Sequence, residues 1–300
     1  IDVREKRLQF KKAKDPRQLP LKLVLNSVYG QSGAGKCVDG KYKVLSDLYD
    51  PRRMREVCIN GQLMILQLIE DVCEMLPRTQ LVQSNTDGVV FKVCNDDWDT
   101  FDKIVKEWEK RTRLNMEYDY TNAIYQRDVN NYIAVFDNGK IERKGGSVKE
   151  AKVIDNDLPI VSDAVVEYFV NGVDPAEYIS KESDMMRFMK TYKLSSKYDH
   201  ALYNDEVLTD KVYRVFASRS RKDGILYKCK QDKNPEKFAS CPDHCRIVNG
   251  NIQGMKTPKW LDRAWYIDEA WKRINSFKGA LQRRSSFWSA RRRHPTRRLF

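Results

Sequence analysis

Several features are missing from this 300-residue sequence, and each absence excludes a class of protein. No run of about eighteen uninterrupted apolar residues occurs, so no transmembrane helix is predicted. The chain opens with Ile1 and a charged segment, and we expect part of a longer polypeptide with no signal peptide. Its seven cysteines are an odd number at irregular spacing, unlike a disulfide framework. These absences predict an intracellular protein that is neither secreted nor membrane-embedded.

Acidic residues are missing from the last segment of the chain. Residues 278–300 carry 8 Lys/Arg and no Asp/Glu, whereas residues 1–55 carry 14 Lys/Arg against 6 Asp/Glu. The net charge of +13 is therefore concentrated at the two ends, with a slightly acidic middle. The last segment is rich in Arg and the rest of the chain in Lys, which predicts a solvated tail of separate origin.

The pattern of apolar residues predicts an α+β fold. Helical spacing, proline starts and glycine ends predict helices at 2–14, 19–29, 51–76, 97–113, 160–171, 175–182, 184–191 and 261–276. Short apolar runs bounded by Asn, Asp and Gly predict strands at 80–93, 115–145 and 213–228, with turns at Asn85–Gly88 and Asp137–Gly139. No internal repeat is visible before residue 278.

The second predicted helix carries a first candidate site. Lys22, Asn26, Tyr29 and Gly30 are spaced i, i+4, i+7 and i+8, so they share one helix face. A cation, an amide, an aromatic hydroxyl and a bare backbone could together contact a triphosphate, a base and a sugar. A solvated helix face is the alternative interpretation.

Two further groups of charged residues could join such a site. Arg7 and Lys11, at i and i+4 on the preceding helix, would add two cations facing the same anion. Asp87 lies at the predicted hairpin turn, where a carboxylate could hold Mg²⁺ together with substrate phosphates. Asp and Gly at this position also suit a tight turn for backbone reasons alone.

Taken in order, these segments resemble the motifs of family B DNA polymerases. The overall character of the sequence is similar to that of a phage-type replicative enzyme. LKLVLNSVYG is similar to motif B, Lys-x-x-x-Asn-Ser-x-Tyr-Gly, and QSNTDGVVF to motif C, usually Tyr-Gly-Asp-Thr-Asp-Ser. REKRLQFKK resembles the fingers helix before motif B, and NNYIAVFDNGKIERKGG the Lys-x-Tyr and Lys-Gly region. The resemblance covers roughly residues 2–277.

The resemblance implies a role for each candidate residue. Lys22 would be catalytic, contacting the triphosphate of the incoming deoxynucleotide with help from Arg7 and Lys11. Asn26 would support that site, and Tyr29 with Gly30 would pack against the nascent base pair. Asp87 would be the catalytic ligand of two Mg²⁺ ions, which promote attack of a primer 3′-hydroxyl on the α-phosphate. The DNA contacts implied for the primer-template are Tyr132, Lys140, Lys144 and Gly145.

The same resemblance implies a domain plan and two departures. Residues 1–36 would end the fingers, 37–152 form the palm with an antiparallel sheet, 153–277 form a mainly helical thumb, and 278–300 form a disordered basic tail. Asn85 replaces the first Asp of the usual Asp-Thr-Asp, and Gln83-Ser84 the usual Tyr-Gly. Motif A, which supplies the other metal-binding Asp, is missing, as is the exonuclease. The N-terminal part of the same polymerase is therefore an expected partner.

Three other interpretations remain open at this point. The chain could be the non-catalytic DNA-binding half of a split polymerase. GQSGAGKC nearly spells a P-loop, with Cys37 in place of Ser or Thr, and a P-loop hydrolase requires strand, loop and helix in that order. The segment CPDHC with Cys229 could suggest zinc, although a second closely spaced pair is missing. The aromatic residues of 260–271 are predicted to pack the core rather than stack on bases.

Overall fold

The structure, a computed structural model, describes residues 2–39, 41–44, 46–86, 88–151, 157–231 and 233–291. It is 41% helical and 23% strand, with antiparallel sheets, which confirms the α+β class. The chain divides into two compact units, one ending at Glu117 and the other beginning at Tyr118. Across these described ranges, no helix has the length and apolar character needed to span a membrane.

The first unit contains four helices and two hairpins in its described part. Its elements are α1 Val3–Lys12, α2 Gln18–Ser32, β1 Gly35–Val38, β2 Lys41–Val44, α3 Pro51–Met75, β3 Gln80–Ser84, β4 Val89–Lys92 and α4 Trp98–Thr112. The predicted helices and the 80–93 hairpin are confirmed, but α2 does not end at Gly30 as predicted and continues to Ser32. The β1–β2 hairpin was not predicted. Helix α3 begins where predicted because Pro51 occupies its first turn and the Asp50 side chain accepts from the Arg53 amide at 3.0 Å.

A small core lies between α3 and α4. Leu68 and Val72 of α3 face Phe101, Val105 and Trp108 of α4, and all five are buried. Leu68 and Val72 are four residues apart, and Phe101, Val105 and Trp108 are separated by four and then three residues. These spacings place the side chains on one face of each helix. The Trp108 indole N–H donates to the Met64 carbonyl at 2.8 Å, so the polar edge of the ring is satisfied inside the core.

The order of elements around Gly30 decides the P-loop alternative. Helix α2 continues through Gly30 to Ser32, and strand β1 follows at Gly35. A P-loop has a buried strand before its glycine-rich turn and a helix after it, which is the reverse order. The P-loop interpretation is therefore wrong, although the sequence spacing fits.

The second unit combines three-stranded and four-stranded sheets with helices. Its elements are β5 Thr121–Asp128, β6 Asn131–Phe136, β7 Ile141–Lys144, α5 Pro159–Asn171, α6 Pro175–Lys181, β8 Lys190–Lys193, β9 His200–Tyr203, β10 Glu206–Leu208, β11 Val212–Ala217, β12 Leu226–Cys229, β13 Glu236–Lys237, β14 Cys245–Ile247 and α7 Arg263–Arg291. The strands form sheets β5-β6-β7, β14-β11-β8 and β10-β9-β12-β13.

Two predictions for residues 153–277 are wrong. The helix expected at 184–191 is a 3₁₀ turn at Met185–Phe188 followed by β8, and seven strands lie in a region expected to be mainly helical. The side chain of Asp184 caps the turn by accepting from the Met186 amide. Thr191 and Tyr192 are then buried by pairing with β11, so cross-strand packing outweighs the local helical pattern.

Helix α7 closes the core of the second unit. Tyr266 is fully buried, its hydroxyl donates to the Phe188 carbonyl at 2.8 Å, and it accepts from the Ala217 amide at 3.0 Å. Trp265 and Trp271 pack against the same cluster, so the aromatic residues of this segment are core residues, as predicted. The helix passes its expected end at 276 and continues to Arg291, and residues 292–300 lie outside the described residues.

Candidate functional site

Helix α2 exposes the predicted row of polar residues. Lys22, Asn26, Tyr29 and Gly30 are all exposed, as expected for one helix face. Lys22 makes no ion pair with any other residue that the structure describes. An unpaired ammonium group on a helix face is available to an anion from solution.

Arg7 and Lys11 of α1 converge on one carboxylate that lies far away in sequence. The Lys11 Nζ contacts the Glu117 Oε1 at 2.6 Å. The hydrogen bond from Lys11, and its charge, lower the pKa of Glu117, and the charge of Arg7 adds to the effect. The Nε of Arg7 is buried and has no hydrogen-bond partner among the described residues. Both predicted cations are thus brought together, facing an acidic side chain that the sequence did not suggest.

This ion pair is weak enough to be exchanged. The side chain of Glu117 is 82% exposed, and ion pairs between exposed side chains contribute little to stability because water and salt screen them.

Tyr29 joins α2 to α3 through a sulfur contact. Its hydroxyl lies 2.6 Å from the Sγ of Cys58, and this hydrogen bond raises the pKa of Tyr29 above its ordinary value. The residue remains 42% exposed. The hydroxyl is thereby held on α3, while the residue as a whole stays accessible to solvent.

Gly30 within α2 and Gly33, which caps the C-terminus of α2, have opposite environments. A Cβ added to Gly33 would collide with the Met54 side chain, so this glycine permits close packing of α2 on α3. A Cβ added to Gly30 would meet nothing within 4 Å. Gly61 of α3 is equally open. The internal packing of the described residues therefore explains Gly33 but gives no reason for a glycine at Gly30.

The hairpin in which the sequence analysis expected a metal ligand forms at β3 and β4. Strands β3 and β4 pair antiparallel with a register shift between Leu81 and Gln83, and the Asn85 amide donates to the Gly88 carbonyl at 2.9 Å. Asp87 lies outside the described residues. Among the described residues, no group of three or more His, Cys, Asp or Glu side chains could hold a metal ion.

The second unit presents a separate surface of aromatic rings and lysines, on strands β6 and β7. Tyr132 and Phe136 lie on one face of β6, and Lys144 is directly opposite Tyr132. The Lys144 Nζ lies 5.6 Å from the centre of the Tyr132 ring, and the Lys140 Nζ 5.5 Å from that of Phe136. Both lysines are exposed, so this face can meet a phosphate backbone.

Tyr132 is anchored within this face. Its hydroxyl donates to the Oε1 of Glu142 at 2.8 Å. Burial, helped by this hydrogen bond, raises the pKa of Tyr132 to about 12. The other face of the sheet packs inward, where Ile133 is fully buried and Arg143 pairs with Asp163 at 2.7 Å. Tyr132 is therefore half-buried, and its hydrogen bond to Glu142 holds it in place on the sheet.

Gly145 is required by the backbone at the end of β7. Its φ is +90°, and an added Cβ would collide with the Asn130 carbonyl and the Asn131 side chain. Gly146 follows it with open space around its Cβ position. The predicted DNA contact at Gly145 thus has a structural reason to be glycine, whatever it binds.

Sequence reasoning missed three partners of the candidate residues, namely Glu117, Cys58 and Glu142. Glu117 and Cys58 lie far in sequence from Lys11 and Tyr29, and no local spacing indicates these contacts. Glu142 could have been found, because the tight turn at Asp137–Gly139 sets the register that brings it beside Tyr132.

No protein-family model matches this chain, and no curated protein matches it either. Its function is therefore inferred from its own residues.

Proposed function

We propose that this chain supplies the nucleotide-binding helices, the motif C hairpin and a DNA-binding surface of a template-directed DNA polymerase similar to family B. The reaction would join an incoming deoxynucleoside triphosphate to a primer 3′-hydroxyl. The new bond forms between that oxygen and the α-phosphorus, and pyrophosphate leaves.

The observation that carries this proposal is the polar row on α2. Lys22 is unpaired within the described residues, Tyr29 is exposed although its hydroxyl is held by Cys58, and Gly30 has empty space where a side chain would be. An anion beside Lys22 and a flat base over Tyr29 and Gly30 account for these three features together. A merely solvated helix face needs neither a tethered tyrosine nor a glycine.

Positive charge on α1 supports the same ligand. Arg7 and Lys11 would offset the negative charge that grows on the phosphates as pyrophosphate departs. Lys11 would exchange Glu117 for a phosphate oxygen, since an exposed ion pair costs little to break. Both cations would thereby be recruited only when a triphosphate is present.

The DNA would contact the second unit through its backbone. Lys140 and Lys144 offer charge, and Tyr132 and Phe136 offer apolar surface beside it. Contacts of this kind hold a duplex without reading its sequence. This suits an enzyme that must move along any template.

Asp87 would be the metal ligand that this chain contributes. Bound Mg²⁺ would activate the attacking hydroxyl and steady the leaving pyrophosphate. Mg²⁺ takes oxygen ligands, usually one or two carboxylates plus substrate phosphates. We expect the second carboxylate to come from a polypeptide that carries motif A, as the resemblance implies.

Primer extension with the complete polymerase tests the proposal. We expect Asp87→Ala to abolish extension and to leave duplex binding largely intact, because only the metal site is lost. We expect Lys22→Ala to weaken nucleotide use by tenfold or more, about 1.4 kcal/mol, while DNA binding is unchanged. Unchanged kcat and KM for the nucleotide in Lys22→Ala would contradict the role of α2. Near-normal extension by Asp87→Ala would contradict the metal assignment.

A second candidate is a DNA-binding half of a split polymerase that works only with a separate motif A polypeptide. The exposed apolar side chains of the first unit favour it: Leu19, Leu23, Val24 and Val28 of α2, and Val57, Ile59, Leu63 and Leu66 of α3. Surface of this kind is typical of an interface. Mixing separates the two candidates, because a split polymerase extends a primer only when both polypeptides are present.

A further inference from the structure

Two cysteines that the proposed polymerase reaction does not use lie side by side in the second unit. Cys241 is in the loop between β13 and β14, and Cys245 begins β14. Their sulfur atoms are 3.9 Å apart, and the residues are only 4% and 0% exposed. They belong to a hydrophobic cluster with Tyr192 and Phe238. The two thiols are therefore in contact inside a buried hydrophobic cluster.

The surroundings of the pair are unequal. The hydrogen bond from Cys245 lowers the pKa of Cys241, and so do the Leu226 amide and the charges of Lys237 and Lys190. The same shared hydrogen bond, together with burial, raises the pKa of Cys245. Of the two thiols, Cys241 is therefore the one that loses its proton more readily, and the Cys245 sulfur lies in contact with it. A nucleophilic thiol in contact with a second, resolving thiol is the usual arrangement of a redox-sensitive pair.

A metal ion fits this pair less well. Zinc in structural sites takes four ligands. Among the described residues, no third His, Cys, Asp or Glu joins the two thiols in a metal-holding group. His244 turns its Nδ1 to the Asp223 carbonyl at 2.8 Å, and Asp243 is paired with Lys237 at 2.5 Å. The two sulfurs instead need only approach to about 2.0 Å to bond to each other.

We propose that Cys241 and Cys245 form a reversible disulfide, which makes the loop between β13 and β14 a site of oxidative modification. The oxidant is a small peroxide, since the burial of both thiols favours a small reagent. Intracellular disulfides, where they occur, are usually transient and redox-sensing.

The chemistry balances with hydrogen peroxide. The Cys241 thiolate attacks one peroxide oxygen, the O–O bond breaks, and hydroxide leaves, so Cys241 becomes a sulfenic acid. The Cys245 sulfur then attacks the Cys241 sulfur, the S–O bond breaks, and the departing hydroxide takes the Cys245 proton as water. Two thiols are oxidised by two electrons, and one peroxide is reduced to two waters. A dithiol such as dithiothreitol reverses the change.

The disulfide-bonded form would alter the conformation of the loop at Ser240, the residue before Cys241. This residue has a left-handed backbone, with φ +53°, and its carbonyl accepts from the Tyr192 hydroxyl at 2.8 Å. Drawing the neighbouring Cys241 toward Cys245 shifts that carbonyl, so oxidation changes the packing of Tyr192 in the cluster. Oxidation of the two cysteines would thus change the packing of strand β8, to which Tyr192 belongs.

Peptide mapping of the full chain tests the proposal. The reduced protein is treated with hydrogen peroxide, alkylated under denaturing conditions, digested and measured by mass spectrometry. We expect Cys241 and Cys245 both to escape alkylation, in a single peptide that is two hydrogens lighter than its reduced, unalkylated form. Dithiothreitol should restore both alkylation sites.

Matched variants identify the pair. Cys229→Ser, at a buried thiol of the same unit, should leave the modification intact, whereas Cys241→Ser and Cys245→Ser should each abolish it. If either serine variant fails to fold, the mapping of the unaltered chain still decides. Oxidation of the exposed Cys58 shows that the peroxide treatment has worked. If Cys241 and Cys245 are both still alkylated after that treatment, the proposal is overturned. Protection that is present before oxidation and removed by a chelator would also overturn it, and would indicate a metal.

Discussion

At the residue scale, backbone geometry explains Gly145, a glycine that the sequence analysis assigned to DNA binding. Gly145 and Gly139 both have positive φ, but only Gly145 lacks room for a side chain. Gly146 has neither constraint. Gly139 therefore shows the effect of a left-handed backbone alone, and Gly145 shows a left-handed backbone together with a steric collision. Gly146 serves as the control, since it has neither.

Alanine substitutions at these glycines should form a graded series. Gly139→Ala should lower the free energy of unfolding by about 1–2 kcal/mol, the cost of a left-handed backbone. Gly145→Ala should lower it further, because the methyl group also meets the Asn130 carbonyl. Gly146→Ala should stay within about 0.5 kcal/mol. Denaturant unfolding measures all three, and equal stability of the Gly145 and Gly146 variants would refute the backbone argument.

Tyr132 should give the chain a distinctive alkaline titration. Its pKa is raised from 10.0 to about 12, so below pH 10 it is neutral in both the folded and unfolded states, and its contribution to stability is complete. As the pH rises from 10 toward 12, the unfolded state loses its proton first, and this contribution is progressively lost.

Comparison with Tyr132→Phe isolates this effect. The difference in tyrosinate absorbance between the two proteins should show one group titrating near pH 12. Over pH 10–12, the stability of the variant should fall less steeply than that of the unaltered chain. A difference titration centred at pH 10 would mean that neither the burial of Tyr132 nor its contact with Glu142 persists in solution.

At the element scale, helices α2 and α3 provide a matched pair of glycines. Gly30 and Gly61 are both helical, and neither has an atom within 4 Å of a Cβ position. Packing gives no reason to distinguish them. Any functional difference between them must therefore come from a ligand.

Alanine at these two positions should separate stability from activity. Gly61→Ala should stabilise α3 by about 0.5–1 kcal/mol, since glycine costs conformational entropy in a helix, and leave extension unchanged. Gly30→Ala should be no less stable than the unaltered chain but should impair primer extension, because its methyl group occupies the space proposed for the base pair. Equal activity of the two variants in the complete polymerase would remove the ligand argument for Gly30.

At the scale of the whole molecule, the two units differ in how much apolar surface they bury. The described part of the first unit has one small core between α3 and α4, whereas the second has two larger clusters. Helices α2 and α3 leave long apolar side chains in solvent. A covering polypeptide would stabilise the first unit by removing that surface from water.

A charge placed on this surface should block assembly. We expect Leu63→Lys to prevent reconstitution of primer extension with a motif A polypeptide, because burying an unpaired ammonium group is costly. Val207→Lys, at a similarly exposed apolar residue of β10, is the control and should assemble normally. DNA binding by this chain alone should be the same in both variants. Full reconstitution with Leu63→Lys would show that this face stays in solvent.

The sequence by itself determined the α+β class, the helix bounds set by Pro51 and Asp50, the hairpin at 80–93 and the polar row on α2. These depend on residues close in the chain, whose spacing and capping act locally. Tertiary structure alone decided that Lys11 meets Glu117, that Tyr29 meets Cys58, that residues 190–193 form a strand, and that Cys241 touches Cys245. The first three depend on which distant segments pack together, and the last on the conformation of the loop between β13 and β14. Free energies of burial and cross-strand pairing outweigh the small local preferences at these positions.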